Sequence, residues 1–490
     1  MGVRSASGHA KPSLVLAGFV FGLASVGYAV SAATTRTEPL VWATLLLLVY
    51  LALFVYAFAQ GTFDLLSPPT VVLGLIAVQF PLQAFFTVLV DHYQANLLPL
   101  DRWAHLLDVA LASSVVASAA FLIGYFLPLA GRRTAQAGGS GSSRWAGDRV
   151  GVVVCVLTAL GLMSYLRFMQ DVGGISFFIH NLQARVVLAT GRHDLLAGVS
   201  LIPLASVIWL AYLATRGERL RGRALLWFVV HGALTSLVLF SLGGRSNLIE
   251  YWVTLIVIFH YGVRRLGIRF AAVFLVGAVA FLAVAGWYRA STAASSNAPL
   301  FEPGHVLSPR SVANEFFNYD ISPLDVYVLA LDRVPTDIPF RMGRTITDAV
   351  YAPIPRSALP SKPPVLTAWY KLRLLDRSDP GGVRASALGE GYVNFGFIGV
   401  VALLLAYGVL ARVFARFSTR RDPFALVVYA LGAQYLIQLT IGAFDESTVN
   451  FSERLLPLVV VARFLNWSHA RSATVEAAQA GGAAHGKAYA

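Results

Sequence analysis

Charge and cysteine are both scarce in this chain. Of its 490 residues only 13% are Asp, Glu, Lys or Arg, and Cys155 is the single cysteine. One thiol excludes an intrachain disulfide framework and a cysteine metal cluster. Familiar catalytic motifs are missing as well. There is no Walker A segment, no dinucleotide fingerprint, no HExxH and no GxSxG, so ATP hydrolysis, hydride transfer and zinc proteolysis lack support. The first inter-span loop, 34–39, carries no pair of acids to hold a metal. That argues against a sugar-phosphate transferase working through a metal-bound diacid there.

Apolar side chains fill the space that charge leaves. They make up 57% of the chain, and the mean hydropathy is +0.66. A soluble domain could not hide so much apolar surface from water. The residues also arrive in runs of about 20, the length that crosses a hydrocarbon core about 30 Å thick. Read against turn and charge signals, the runs predict twelve spans: 13–33, 40–59, 68–90, 104–129, 150–169, 196–215, 224–242, 246–263, 270–288, 392–414, 423–443 and 452–467. The expected fold is all-α, a polytopic membrane bundle of about twelve transmembrane helices with one large extracytoplasmic loop. Its parts are an N-terminal bundle at 1–288, the loop at 289–389, C-terminal spans at 390–467 and an Ala/Gly-rich tail at 468–490, read as disordered. The first run is too long for a usual signal-peptide core and reads as a retained anchor.

The net charge of +13 is orientational rather than a nucleic-acid footprint. Arg132, Arg133, Arg144 and Arg149 fall in one connection, Arg216, Arg219, Arg221 and Arg223 in the next alternate one. Arg264, Arg265 and Arg269 follow, then Arg412, Arg416, Arg420 and Arg421. With twelve spans all lie on one side, which the positive-inside rule makes cytoplasmic, together with both termini. Arginine outnumbers lysine heavily and alanine is abundant, a composition that fits a GC-rich bacterial genome.

The long loop then lies outside. Between 341 and 384 it carries Arg341, Arg344, Arg356, Lys362, Lys371, Arg373, Arg377 and Arg384 against Asp348, Asp376 and Asp379. Such a basic excess asks for an anion, and membrane lipid headgroups or the pyrophosphate of a polyprenyl carrier are the natural ones. A second outer stretch, 171–194, reads as a short amphipathic helix in the interface.

Three motifs break the apolar background. Gly243-Gly244-Arg245-Ser246-Asn247 places an arginine on a short outer hairpin just before a helix N-terminus, a good geometry for a diphosphate; a snorkelling Arg is the plain alternative. Gly389-Glu390-Gly391-Tyr392-Val393-Asn394-Phe395-Gly396 puts Glu390 and Asn394 on one helical face. A partly desolvated carboxylate at the bundle rim could serve as general base, whereas on its own the motif reads better as a helix cap. Pro353-Ile354-Pro355-Arg356 through Lys362-Pro363-Pro364 is a stiff segment presenting Arg356 and Lys362. The charged group Asp445, Glu446, Glu453 and Arg454 reads as an outer rim.

These motifs resemble those of the bacterial oligosaccharide repeat-unit polymerases, the O-antigen polymerase (Wzy-like) family. GEGYVNFGFIGVV looks like that family's E-x-Y-x-N-F-G-x-x-G segment, PIPRSALPSKP its PR…P-x-KP segment, and GGRSN its G-x-R hairpin. Order and topology also agree; Leu359 departs from the usual bulky residue before the proline. The resemblance implies a cofactor-free, metal-independent glycosyltransferase of the bacterial inner membrane. It would move a growing glycan from undecaprenyl diphosphate onto a lipid-linked repeat unit. Glu390 and Arg245 would be catalytic, and Arg356, Lys362, Tyr392, Asn394 and Arg289 substrate-binding. A chain-length regulator and a flippase are implied partners, nucleic acid is not. Competing readings are a ligase-like glycan transferase, a flippase or other transporter, and a structural subunit of a polysaccharide complex.

Overall fold

The computed structural model describes residues 39–486 apart from 60, 62, 90–97, 129–144, 146, 190, 217–221, 294–322, 352–353, 355–357, 379–381 and 421; for 39–42, 286–293, 467–486 and a few single residues it describes backbone only. Among the described residues there is no strand. Eight helical segments are long and apolar enough to cross a membrane: Pro68–Phe85, Asp101–Phe126, Gly147–Asp171, His193–Thr215, Arg223–Ser241, Ile268–Ala285, Ala387–Ala415 and Pro423–Ile441. The chain is an all-α membrane protein.

In chain order the helices are α1 (Pro39–Ala59), α2 (Pro68–Ala77), α3 (Gln83–Leu89), α4 (Leu100–Phe126), α5 (Gly147–Asp171), α6 (Ile175–His180), α7 (Arg185–Ala189), α8 (His193–Val199), α9 (Leu201–Thr215) and α10 (Arg223–Ser241). They continue as α11 (Arg245–Gly262), α12 (Ile268–Ala293), α13 (Leu324–Arg333), α14 (Arg344–Asp348), α15 (Leu366–Leu374), α16 (Ala387–Ala415), α17 (Pro423–Ile441) and α18 (Phe444–Gly486). Helices thus cover the expected segments at 40–59, 246–263 and 452–467 too, and 13–33 lies outside the described residues. The segment 68–90 is not uniform. Pro81 lacks the N–H a helix needs, and the backbone widens into a π-turn at Val78–Leu82 between α2 and α3. Helix α18 runs through the Ala/Gly-rich stretch as far as Gly486, and alanine is the strongest helix former.

Small residues set how closely the spans approach. A Cβ on Gly124 would strike the Leu405 carbonyl, and one on Gly408 the Phe121 carbonyl, so α4 and α16 cross backbone against backbone. Gly262 packs on Ala214 and Leu426, bringing the ends of α9 and α11 to the start of α17. At that basic end Asp64 accepts from His260 Nε2 (3.0 Å), Tyr261 Oη (2.9 Å) and Arg265 (2.6 Å). Leu266 N–H donates to His260 Nδ1, so Nε2 carries the proton and faces Asp64. Burial would raise the Asp64 carboxyl, but the His260 bond, the Arg265 charge and the Tyr261 hydroxyl together hold it below its ordinary value.

Two polar clusters inside the spans are paired across helices. His231 on α10 meets Thr158 Oγ1 at 2.7 Å and Ser206 Oγ at 2.6 Å. Glu250 on α11 accepts from Gln434 Nε2 (2.8 Å) and Gln438 Nε2 (2.7 Å) of α17, with Arg454 3.9 Å away. Water is absent from the bilayer core, so such groups hold helices together where they find partners and cost free energy where they do not.

Candidate functional site

The site is built around a break in α16. Phe395 (φ −143°, ψ 25°) and Gly396 (φ 64°, ψ −150°) leave the helical region, and the positive φ of Gly396 is one that only glycine adopts freely. The short arm before the break folds back on the long arm after it. A Cβ on Gly391 would stand 2.7 Å from Val400 Cα, and one on Gly399 would run into the Gly391 carbonyl. In an unbroken helix residues eight apart are separated by about 12 Å along the axis. The glycines of the motif therefore make a tight elbow.

That elbow buries the side chains of its first arm, from Ala387 to Asn394. Glu390 is fully buried and Asn394 nearly so, which corrects the expectation of a carboxylate at the rim. Nor does Glu390 cap the helix: Ser386 Oγ does, accepting from Gly389 N–H at 3.0 Å. Glu390 Oε2 instead accepts the backbone N–H of Phe444 at 2.8 Å. Its Oε1 is buried with no hydrogen-bond partner among the described residues, and so are the hydroxyls of Tyr370 and Tyr407. Both tyrosines lie within electrostatic reach of Glu390, as do Arg341 and Asp445, and the Thr345 hydroxyl stands near enough to act on the carboxyl as a donor. Buried polar atoms are nearly always satisfied, so a carboxyl with two such tyrosine hydroxyls around it is a candidate site.

Asn394 and Tyr392 fasten the loop to the elbow. Asn394 Oδ1 accepts from Gly343 N–H (3.0 Å), and its Nδ2 donates to Thr345 Oγ1 (2.7 Å) and to the Glu390 carbonyl (2.8 Å). Arg341 N–H bonds the Val393 carbonyl at 2.8 Å and Met342 N–H the Asn394 carbonyl at 3.1 Å. Tyr392 Oη donates to the Val334 carbonyl at 3.0 Å. A shared helical face was expected for Glu390 and Asn394, and the bond from Asn394 to the Glu390 carbonyl has the i, i+4 geometry of one.

The loop segment so pinned delivers Arg341. Its guanidinium donates to Asp348 Oδ2 at 3.0 Å and lies 4.7 Å above the Trp369 ring. Arg341 is within electrostatic reach of Glu390 on one side. On the other it lines, with Arg344, Thr347, Asp348, Tyr351 and Pro363, an open cleft of about 600 Å³. Arg341, Thr345 and Trp369 were not among the candidate site residues. The signal for them was the Arg-rich run from 341 onward, where Arg341 and Arg344 flank Gly343.

The remaining candidates are more scattered. Arg245 opens α11, at the same end of the bundle, and donates to the Leu282 carbonyl at 3.3 Å; no described contact joins it to Glu390. Lys362 donates to the Ile354 carbonyl at 3.0 Å and acts electrostatically on His193, which pairs with Glu453 at 3.1 Å. Arg356 lies outside the described residues, and of Arg289 only the backbone, in α12, is described. Asp445 and Glu446, expected on the outer rim, are instead folded inward: Asp445 is only 2% exposed. Burial pushes its carboxyl above the ordinary range despite the Leu366 and Glu446 amides it accepts from.

A family model described as a domain of unknown function (DUF8712) matches residues 301–434, a stretch that takes in the loop from Phe301 onward, α16 and most of α17. No curated protein and no solved structure matches the chain.

Proposed function

We propose that this chain is a membrane glycosyltransferase that polymerises lipid-linked oligosaccharide repeat units at the loop end of its bundle. One observation carries the reading: Arg341 stands between a buried carboxyl, Glu390, and an open cleft that also holds Arg344. A diphosphate leaving group needs cations that are already in place when its charge develops. A sugar hydroxyl needs a base to take its proton. In this reading the acceptor hydroxyl oxygen bonds to the anomeric carbon, and the bond from that carbon to the polyprenyl diphosphate breaks. The hydroxyl proton passes to Glu390, while Arg341 and Arg344, with Arg356 and Lys362 from the Pro-rich segment, bind the departing diphosphate. Tyr392 and Asn394 hold the loop against the elbow, and the family resemblance adds Arg245 and Arg289 as further groups for the same carrier. The carrier is undecaprenyl diphosphate, the setting a bacterial inner membrane crossed twelve times, with both termini cytoplasmic. No cofactor enters the scheme.

The resemblance of the elbow, Pro-rich and hairpin motifs to repeat-unit polymerases supports this reading. Deletion of the gene should collapse a ladder of surface glycan to single repeat units on a gel. Glu390→Gln should fail to restore the ladder although the protein reaches the membrane; a full ladder would remove Glu390 from the chemistry. A second reading, transport of the lipid-linked glycan, draws on the Glu250–Gln434–Gln438 cluster inside the bundle, since ionisable groups within spans mark transport pathways. Lipid-linked repeat units trapped on the cytoplasmic face after deletion would favour it.

A further inference from the structure

The first turn of α18 touches the site through three consecutive residues. Phe444 N–H donates to Glu390 Oε2 at 2.8 Å. Asp445 Oδ2 accepts from Leu366 N–H at 2.9 Å. Glu446 Oε1 accepts from Thr367 Oγ1 at 2.7 Å. Leu366 and Thr367 open α15, the loop helix that carries Trp369 and Tyr370.

That helix cannot cap itself. Its N-cap position is Val365, which has no side-chain acceptor, and its first turn holds no acidic residue. The first N–H groups of a helix must find acceptors, and a carboxylate there also meets the positive end of the helix dipole. Asp445 supplies that group from a different part of the chain. Its second oxygen is held at 2.8 Å by Glu446 N–H, so the carboxylate has a fixed orientation. Further along α15, Trp369 lies under Arg341 and Tyr370 is fully buried with its hydroxyl in reach of Glu390.

We propose that Asp445 and Glu446 are positioning residues: they dock α15 onto the bundle and thereby hold Trp369 beneath Arg341 and Tyr370 beside Glu390. The inference rests on the polymerase reading for its catalytic consequence, though the docking itself does not. Removing Asp445 unfastens the start of α15 and frees Arg341 from its aromatic support. Catalysis falls because the cleft cation is displaced, not because a reacting group is lost.

The test uses the full-length protein in detergent and two readouts. Tryptic cleavage at Lys371 and Arg373 reports whether α15 is docked. Steady-state transfer on a lipid-linked oligosaccharide reports the site. Asp445→Ala should speed cleavage about tenfold or more, the scale set by losing a hydrogen bond to a charged group, and raise KM with a smaller change in kcat. Asp445→Asn keeps one oxygen for Leu366 and should fall between. Thr367→Val, which leaves the bundle side untouched, should reproduce a weaker form of both effects. Wild-type cleavage in Asp445→Ala would overturn the docking, and faster cleavage with unchanged KM and kcat would overturn its role in positioning. If wild-type protein transfers no glycan while Asp445→Ala still exposes Lys371, the docking stands and the polymerase reading fails.

Discussion

Gly391 and Gly399 meet backbone to backbone across the break in α16, so that neither can carry a side chain without pushing the two arms apart. Gly391→Ala places a methyl group 2.7 Å from Val400 Cα, and overpacking of that kind costs about 1–3 kcal/mol. The variant should lose thermal stability in detergent, read as monodisperse protein surviving a heat step. Gly151→Ala, where nothing stands within 4 Å, should survive like the parent. Equal survival of all three proteins would mean that the arms are not in contact.

Arg341 tests charge against shape. Lysine keeps the charge but loses the planar fork and the stacking on Trp369. Arg341→Ala should lower transfer roughly 10²–10³-fold, the scale for removing one preorganised group that stabilises developing charge. Arg341→Lys should recover only part of it. Full activity in the lysine variant would reduce the site to a simple positive charge.

Asn394→Ala strips Gly343 N–H and Thr345 Oγ1 of their partner at once. Each polar group, donor or acceptor, stranded in a buried setting costs about 1–3 kcal/mol. The loop around 341–348 should loosen, with faster amide exchange at Gly343 and Thr345 while α17 keeps its protection. Unchanged exchange in that segment would show that Asn394 does not fasten it.

At the opposite end, the lowered Asp64 value ties stability to pH. A carboxyl more acidic when folded than when unfolded stabilises fully above the ordinary carboxylate range, about pH 4. The contribution disappears as pH falls through the depressed folded value. Between pH 6 and pH 3 the parent should lose more stability than Asp64→Asn, which lacks this ionisation. Parallel melting curves across that range would contradict the linkage.

Much of the bundle could be read from composition, and little of the site. The run 150–169 became Gly147–Asp171, 224–242 became Arg223–Ser241, and 246–263 became Arg245–Gly262. Hydrophobic length is a strong signal because lipid leaves helices no alternative way to satisfy their backbone. The elbow was harder. Nothing local to Phe395 says that the chain reverses there rather than continuing as one span. The acids of α18 read as surface because they are charged; only the uncapped α15, folded 79 residues away in sequence from its partners, makes a buried place for them. Arg341 escaped notice because its importance depends on Trp369 and Asp348 arriving from other elements.

The elbow also settles how much of α16 is left for the bilayer. As one rod its 29 residues would measure about 44 Å at the helical rise, well beyond the hydrocarbon thickness. With the first arm turned back, the stretch from 397 to 415 remains, about 28 Å long, which nearly matches that thickness without tilt. The first arm is buried in protein from Ala387 to Asn394, the shelter that non-spanning backbone needs at membrane depth. In the polymerase reading, that arm holds the Glu390 carboxyl on the loop side of the spanning stretch, where a lipid-linked substrate would present its headgroup.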